Sequence, residues 1–277
     1  MSISSSYVAT PFGRFHVESA GGGKPLLLIH GGTASAREWR LVLPGLGEHA
    51  RCVAADRLGC GLSDRSPSYD RLTLTRSLLA LADALGWDRF GVAGQSFGGF
   101  WALSLAHEAP ERVSRLVIVN SGSSARMTDA ERQQRAARMA AMRSAKTWDE
   151  MTVAERASAA DRTIAQIYAD PRRVPASYRD DLLWQMERAA PGQLGAVAGQ
   201  DEHVSPDALG RIRCPTLVVW GEADSMGPAE RGQHLAAAIP GARFVGLPGV
   251  GHTCQIEAPR EFVAAVAPFL DETAEVG

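Results

Sequence analysis

The sequence predicts an α/β protein: a doubly wound, mostly parallel central sheet with helices on both faces and a helical cap insertion. Three observations predict it. Short apolar runs recur without polar alternation, as strands buried on both faces do. Helix-like segments separate them, so right-handed crossovers gather the strands into one sheet. That alternation stops between residues 123 and 206, where Ala, Arg, Met and charged residues at helical spacing take over. The core is expected over 1–122 and 207–277, and the cap over 123–206.

Residues 3–19 read as two short strands joined at Pro11-Phe12-Gly13, a starting hairpin. Apolar runs place further strands near 25–29, 51–55, 89–93, 113–120, 215–220 and 242–247. The intervening segments place helices near 37–48, 70–85, 97–108, 228–239 and 256–270. The cap falls between the sixth and seventh strands, with Asp170-Pro171 and Val174-Pro175 as its punctuation. Ala136, Met139 and Met142 share one helical face there, and Leu182, Leu183 and Met186 another. A sheet of this kind carries its site beyond the carboxyl ends of its strands. The tail from Asp271 is short, polar and expected to fray.

At 277 residues the chain suits one large core, or one domain with an insertion. A net charge of −2 makes no electrostatic case for nucleic acid or an acidic membrane. No run approaches the roughly 18 apolar residues that span a bilayer. Residues 1–19 lack a basic stretch followed by an apolar core, so a cytoplasmic protein is expected. Lys24 and Lys146 are the lysines; arginine supplies the remaining basic charge, a mark of a GC-rich bacterial source. Arg132-Gln133-Gln134-Arg135 and Arg172-Arg173 read as solvated helix faces. Cys52, Cys60, Cys214 and Cys254 form no C-x-x-C pair, which argues against zinc. Cys52 and Cys214 read as small buried hydrophobes.

The chemistry starts at Gly94-Gln95-Ser96-Phe97-Gly98. A short apolar run precedes it and an apolar helix-like run follows, so G-x-S-x-G reads here as a nucleophile elbow. The turn is too tight for side chains at Gly94 and Gly98, two residues either side of the serine, and the following helix aims its N-terminus at the same spot. A serine hydroxyl needs a base. Of seven histidines, His252 follows an apolar run that breaks into the loop Gly249-Val250-Gly251 and precedes a helix, so it can reach a strand-end site. The base needs a carboxylate to hold its tautomer. Asp224, just beyond Thr216-Leu217-Val218-Val219-Trp220-Gly221, is the choice, with Glu222 as the fallback.

The order Ser96, Asp224, His252 resembles that of the α/β-hydrolase fold superfamily, and the likeness covers nearly the whole chain. Leu26-Leu27-Leu28-Ile29-His30-Gly31-Gly32 is similar to its oxyanion loop, and Asp56-Arg57-Leu58-Gly59-Cys60-Gly61-Leu62-Ser63 to the loop after the next strand. Trp220-Gly221-Glu222-Ala223-Asp224 is similar to the acid loop, and Gly251-His252 through Pro259 and Phe262 to the histidine loop. The resemblance implies oxyanion donors at the N–H groups of Gly32 and Phe97. It implies loop-shaping roles for His30 and Asp56.

The function expected is hydrolysis of a small carboxylic ester or lactone through an acyl-serine, with no cofactor, no metal and a small molecule as partner. Met139, Met142, Trp148 and Trp184 are candidate substrate-binding residues, with Met151, Tyr168 and Met186 behind them. The rival is a carbon–carbon bond hydrolase of vinylogous diketones; those usually carry tryptophan after the histidine, where this chain has Thr253. A catalytically idle small-molecule-binding protein is the third reading. Thioesterase and acyltransferase readings would need a carrier or coenzyme A surface. Haloalkane dehalogenases and epoxide hydrolases use aspartate where this chain has Ser96.

Overall fold

The computed structural model describes residues 1–121, 133, 137, 148–190 and 204–272. Eight strands form one sheet: β1 (Ser4–Thr10), β2 (Gly13–Ala20), β3 (Pro25–Ile29), β4 (Arg51–Ala55), β5 (Phe90–Gln95), β6 (Val113–Val119), β7 (Thr216–Gly221) and β8 (Arg243–Leu247). Their order is β1-β2-β4-β3-β5-β6-β7-β8. The hairpin β1–β2 is antiparallel and joins β4 antiparallel; every other pairing is parallel.

The parallel strands are mostly apolar because both faces are covered. Alternate residues point opposite ways. Leu27, Ile29, Val53 and Val92 join one core with α1 (Arg71–Ala84), α2 (Phe97–Glu108) and α5 (Ala229–Ala238). Leu26, Leu28, Cys52 and Ala93 join the other, under Trp39, Leu43 and α6 (Pro259–Asp271). Between β6 and β7 lie α3 (Val153–Ile167) and α4 (Tyr178–Arg188). They share a third, small cluster of Ala160, Tyr168, Tyr178, Leu182 and Ile256.

Two expected helices differ from the sequence reading. The segment 37–48 forms a 3-10 turn, Ala36–Trp39, and a short helix, Leu43–Leu46. Pro44 stands in the first turn of the second piece; with no N–H it cannot bond back to the carbonyl four residues earlier, so the first turn does not run on through it. The last helix is also split. Cys254–Glu257 forms one turn, and Ala258 leaves helical geometry at φ −138°, ψ 60° before Pro259 restarts it. A residue before proline is pushed out of the helical region.

Candidate active site

The carboxyl ends of β5, β6 and β7 converge on one point. Ser96 follows β5 directly and stands at φ 50°, ψ −118°, a strained conformation for a residue with a side chain. The flanking glycines permit the turn. A Cβ on Gly94 would lie 2.2 Å from the Gly98 carbonyl oxygen, and one on Gly98 2.1 Å from that of Ile29. The Ser96 N–H donates to the Val119 carbonyl (2.8 Å), which holds the elbow to β6.

Ser96, His252 and Asp224 form one hydrogen-bonded chain. His252 Nε2 lies 2.8 Å from Ser96 Oγ, and His252 Nδ1 lies 2.7 Å from Asp224 Oδ2. An ionised carboxylate only accepts, so Nδ1 carries the proton and Nε2 is left to accept from the hydroxyl. His252 and Asp224 are both buried. Asp224 takes the position beside the imidazole, whereas Glu222 is exposed.

Asp224 has further partners. Asn120, at the end of β6, donates from Nδ2 to Asp224 Oδ2 (2.8 Å), and the Met226 N–H donates to Oδ1 (2.7 Å). Asn120 itself accepts from the Gly221 N–H (3.1 Å) and from Cys254 Sγ (2.9 Å). Its backbone is left-handed, at φ 44°. Asparagine tolerates that region better than most residues. The Gln95 amide donates to the His252 carbonyl (2.9 Å), tying the histidine loop to the elbow.

The loop after β3 is shaped by charge and burial. His30 Nδ1 donates to the Gly31 carbonyl (2.8 Å), and Nε2 accepts from the Arg57 N–H (3.0 Å). Both contacts suit neutral imidazole. Burial, with the Arg57 charge nearby, pushes the His30 pKa down to about 3. The Arg57 guanidinium donates to the Gly31 (2.9 Å) and Gly32 (2.6 Å) carbonyls, and this pins the loop. Glu38 accepts from the Gly31 N–H (2.8 Å); burial drives its pKa up to about 7. Asp56 accepts from the N–H groups of Ala36 (2.6 Å) and Leu62 (2.8 Å), the loop-pinning role implied for it. Phe97 opens α2, where an N–H has no acceptor within the helix.

The chain matches the alpha/beta hydrolase fold family over residues 24–259. It belongs to that family. It is similar to the 2-hydroxymuconate semialdehyde hydrolase of Pseudomonas sp. strain CF600: 31% identical over 275 residues, covering 94% of this chain and 91% of the relative. It is 28% identical to the 2-hydroxy-6-oxo-6-phenylhexa-2,4-dienoate hydrolase of Burkholderia cepacia, covering 93% and 91%. Among solved structures, a hydrolase from Pseudomonas aeruginosa PA01 superposes with a TM-score of 0.79 at 30% identity, over 97% of this chain and 98% of the other. The chain is thus an α/β hydrolase, an enzyme acting on a small molecule.

The cap candidates of this hydrolase fall in different places. Met139 and Met142 lie outside the described residues. Trp184, on α4, is sandwiched between two guanidinium groups, with Arg37 3.7 Å and Arg188 4.4 Å from its ring centre. Arg37 also bridges to Asp181 (2.6 Å), so this cluster ties α4 to the turn after the β3 loop. Trp148 packs against the Arg156 guanidinium at 5.1 Å. Tyr168 is buried edge-on against Tyr178, with ring centres 5.8 Å apart. Met151 and Met186 are partly buried.

Asn120, Glu38, Gln95 and Glu257 contribute to the site without having been picked out. A polar residue closing the apolar run Leu116–Val119 was the available signal for Asn120. Among the described residues, no helix is long and apolar enough to cross a membrane, and no group of three or more His, Cys, Asp or Glu could hold a metal.

Proposed function

We propose that this hydrolase acts through an acyl-Ser96 intermediate. The hydrogen-bonded chain from Ser96 through His252 to Asp224, on a strained elbow, carries the reading. His252 takes the hydroxyl proton as Ser96 attacks a carbonyl, and Asp224 stabilises the imidazolium. The N–H groups of Gly32 and Phe97 receive the developing oxyanion. His252 then protonates the leaving group, and water repeats the cycle to free the acid. The helices within 123–206 act as the cap that covers the pocket, with Trp148 and Trp184 among its substrate-side candidates. Cys52, Cys214 and Cys254 carry no disulfide, which fits a reducing, cytoplasmic setting.

For the substrate, the relatives support a vinylogous diketone cleaved at a carbon–carbon bond. Relatives named as a 2-hydroxymuconate semialdehyde hydrolase and as dienoate hydrolases align with more than nine-tenths of the chain. A carbon leaving group departs only when neighbouring unsaturation and a carbonyl take up its charge, so such a substrate must be conjugated. The second reading is a carboxylic ester or lactone. Thr253 favours it, standing where the carbon–carbon hydrolases usually carry tryptophan. An alkoxide leaves without conjugation, so the three reacting side chains and two donors suffice.

Steady-state kinetics on 2-hydroxy-6-oxohepta-2,4-dienoate, p-nitrophenyl butyrate and a δ-lactone separate the readings. A kcat/KM for the dienoate far above that for the best ester supports carbon–carbon cleavage, and the reverse order supports the ester reading. No turnover, with no labelling of Ser96 by a fluorophosphonate, would return the protein to the class of idle binders.

A further inference from the structure

Glu257 is buried, 3% exposed, and lies six residues after Gly251 in sequence. Three backbone N–H groups converge on its carboxylate. The Gly251 N–H donates to Oε2 (2.7 Å), the Ala169 N–H to Oε2 (3.2 Å) and the Asp170 N–H to Oε1 (2.7 Å). Gly251 precedes His252; Ala169 and Asp170 follow α3 in the segment between β6 and β7. A single side chain therefore joins the histidine loop to that segment.

Other bonds repeat the connection. The His252 N–H donates to the Ile167 carbonyl (2.7 Å). The Ser225 hydroxyl, next to Asp224, donates to the Gln166 carbonyl. The two segments meet at backbone distance: a Cβ on Gly251 would lie 2.6 Å from both Ala169 N and the Ile167 carbonyl oxygen. The loops carrying His252 and Asp224 thus both rest on the stretch 166–170.

We propose that Glu257 is a positioning residue for His252, and that through it the end of α3 sets the angle at which the imidazole meets Ser96. This rests on the reading of Ser96, His252 and Asp224 as the reacting set. The chemistry requires a carboxylate. Its two oxygens accept three N–H bonds from two directions, where an amide offers one oxygen and turns an NH2 group toward the remaining donors. Buried N–H groups facing an NH2 group push the loop and the α3 end apart. Misplacement of a reacting group by about 1 Å costs on the order of a hundredfold in rate.

The test is Glu257→Gln in the full chain, with folding checked by circular dichroism. If the amide variant does not fold, Glu257→Asp, which keeps the charge but withdraws it by one methylene, is read in the same way. Three quantities are compared with wild type: the rate of Ser96 labelling by a fluorophosphonate against pH, the kcat and KM for a simple p-nitrophenyl ester, and the downfield proton resonance of His252 Nδ1–H on Asp224. The expected result is labelling and kcat lowered about ten- to a hundredfold with KM within about twofold. The pH midpoint of labelling and the downfield resonance should both be displaced. A purely structural role would lower the melting temperature and leave midpoint and resonance unchanged, and that result overturns the proposal. Should wild type fail to label, the nucleophile reading falls instead. The resonance then decides for Glu257: displaced in the variant it supports the positioning role, unmoved it removes it.

Discussion

Replacing Glu38 by glutamine should change how stability depends on pH. Glu38 is 6% exposed, and burial lifts its pKa from 4.5 to about 7. Arg57 and His252 pull in the opposite direction, as does the Gly31 N–H it accepts, but burial wins. The folded state therefore holds the proton more tightly than the unfolded chain. The stabilisation from the neutral carboxyl is fully present below pH 4.5 and is lost as pH rises through about 7. At about 1.4 kcal/mol per pKa unit, the loss is on the order of 3 kcal/mol. For a chain of this size that is roughly 5–10 °C in Tm. Glutamine has the same shape, can still accept from Gly31, and does not titrate. Its stability relative to wild type should then rise between about pH 5 and 8 and level off above. The assay is urea unfolding of both proteins, followed by tryptophan fluorescence, at half-unit steps of pH. Groups common to both cancel in the difference. A difference that stays constant from pH 5 to 8.5 would refute the reasoning, and would mean that Glu38 keeps its charge in the folded protein.

Further outcomes follow from the site. Ser96→Ala should abolish turnover and fluorophosphonate labelling with the melting curve retained; ester hydrolysis within tenfold of wild type would remove the covalent mechanism. Asp224→Asn should cost far more than Glu222→Gln, about ten-thousandfold where a triad aspartate is replaced this way, because the amide favours the wrong tautomer of His252. Kinetics of the two variants on one ester decide it, and a more damaging Glu222→Gln would reassign the acid. Trp184→Ala removes a ring held between Arg37 and Arg188, so a stability loss of about 1–2 kcal/mol is expected. Melting curves and the short-to-long acyl preference are measured together; an altered preference would put the ring on the substrate pocket.

Much of the architecture was legible because it depends on local pattern. An apolar run such as Leu26-Leu27-Leu28-Ile29, short and broken by glycine soon after, fits a strand covered on both faces, and it lies in the sheet between β4 and β5. The glycines around Ser96 were readable because the turn forbids a Cβ whatever surrounds it, and the distances at Gly94 and Gly98 give the reason. Helix ends were less legible. The stretch 37–48 has helical character, but Pro44, which cannot donate to the carbonyl four residues earlier, splits it into two short pieces.

The residues that hold the site in register were not legible. Asn120 meets Asp224 across 104 positions, and Glu257 meets Asp170 across 87. Nothing in the local sequence of a polar side chain records which distant backbone group it will face once water is excluded. By itself the sequence determined the sheet, the elbow and the order of serine, acid and histidine, because spacing, backbone sterics and hydrophobic pattern act over a few residues. Only the tertiary structure decided that Asp224 rather than Glu222 meets His252, that Trp184 lies between two arginines, and that the histidine loop rests on the end of α3. Those outcomes depend on burial and on hydrogen bonds between remote segments, which exist only once the chain has closed.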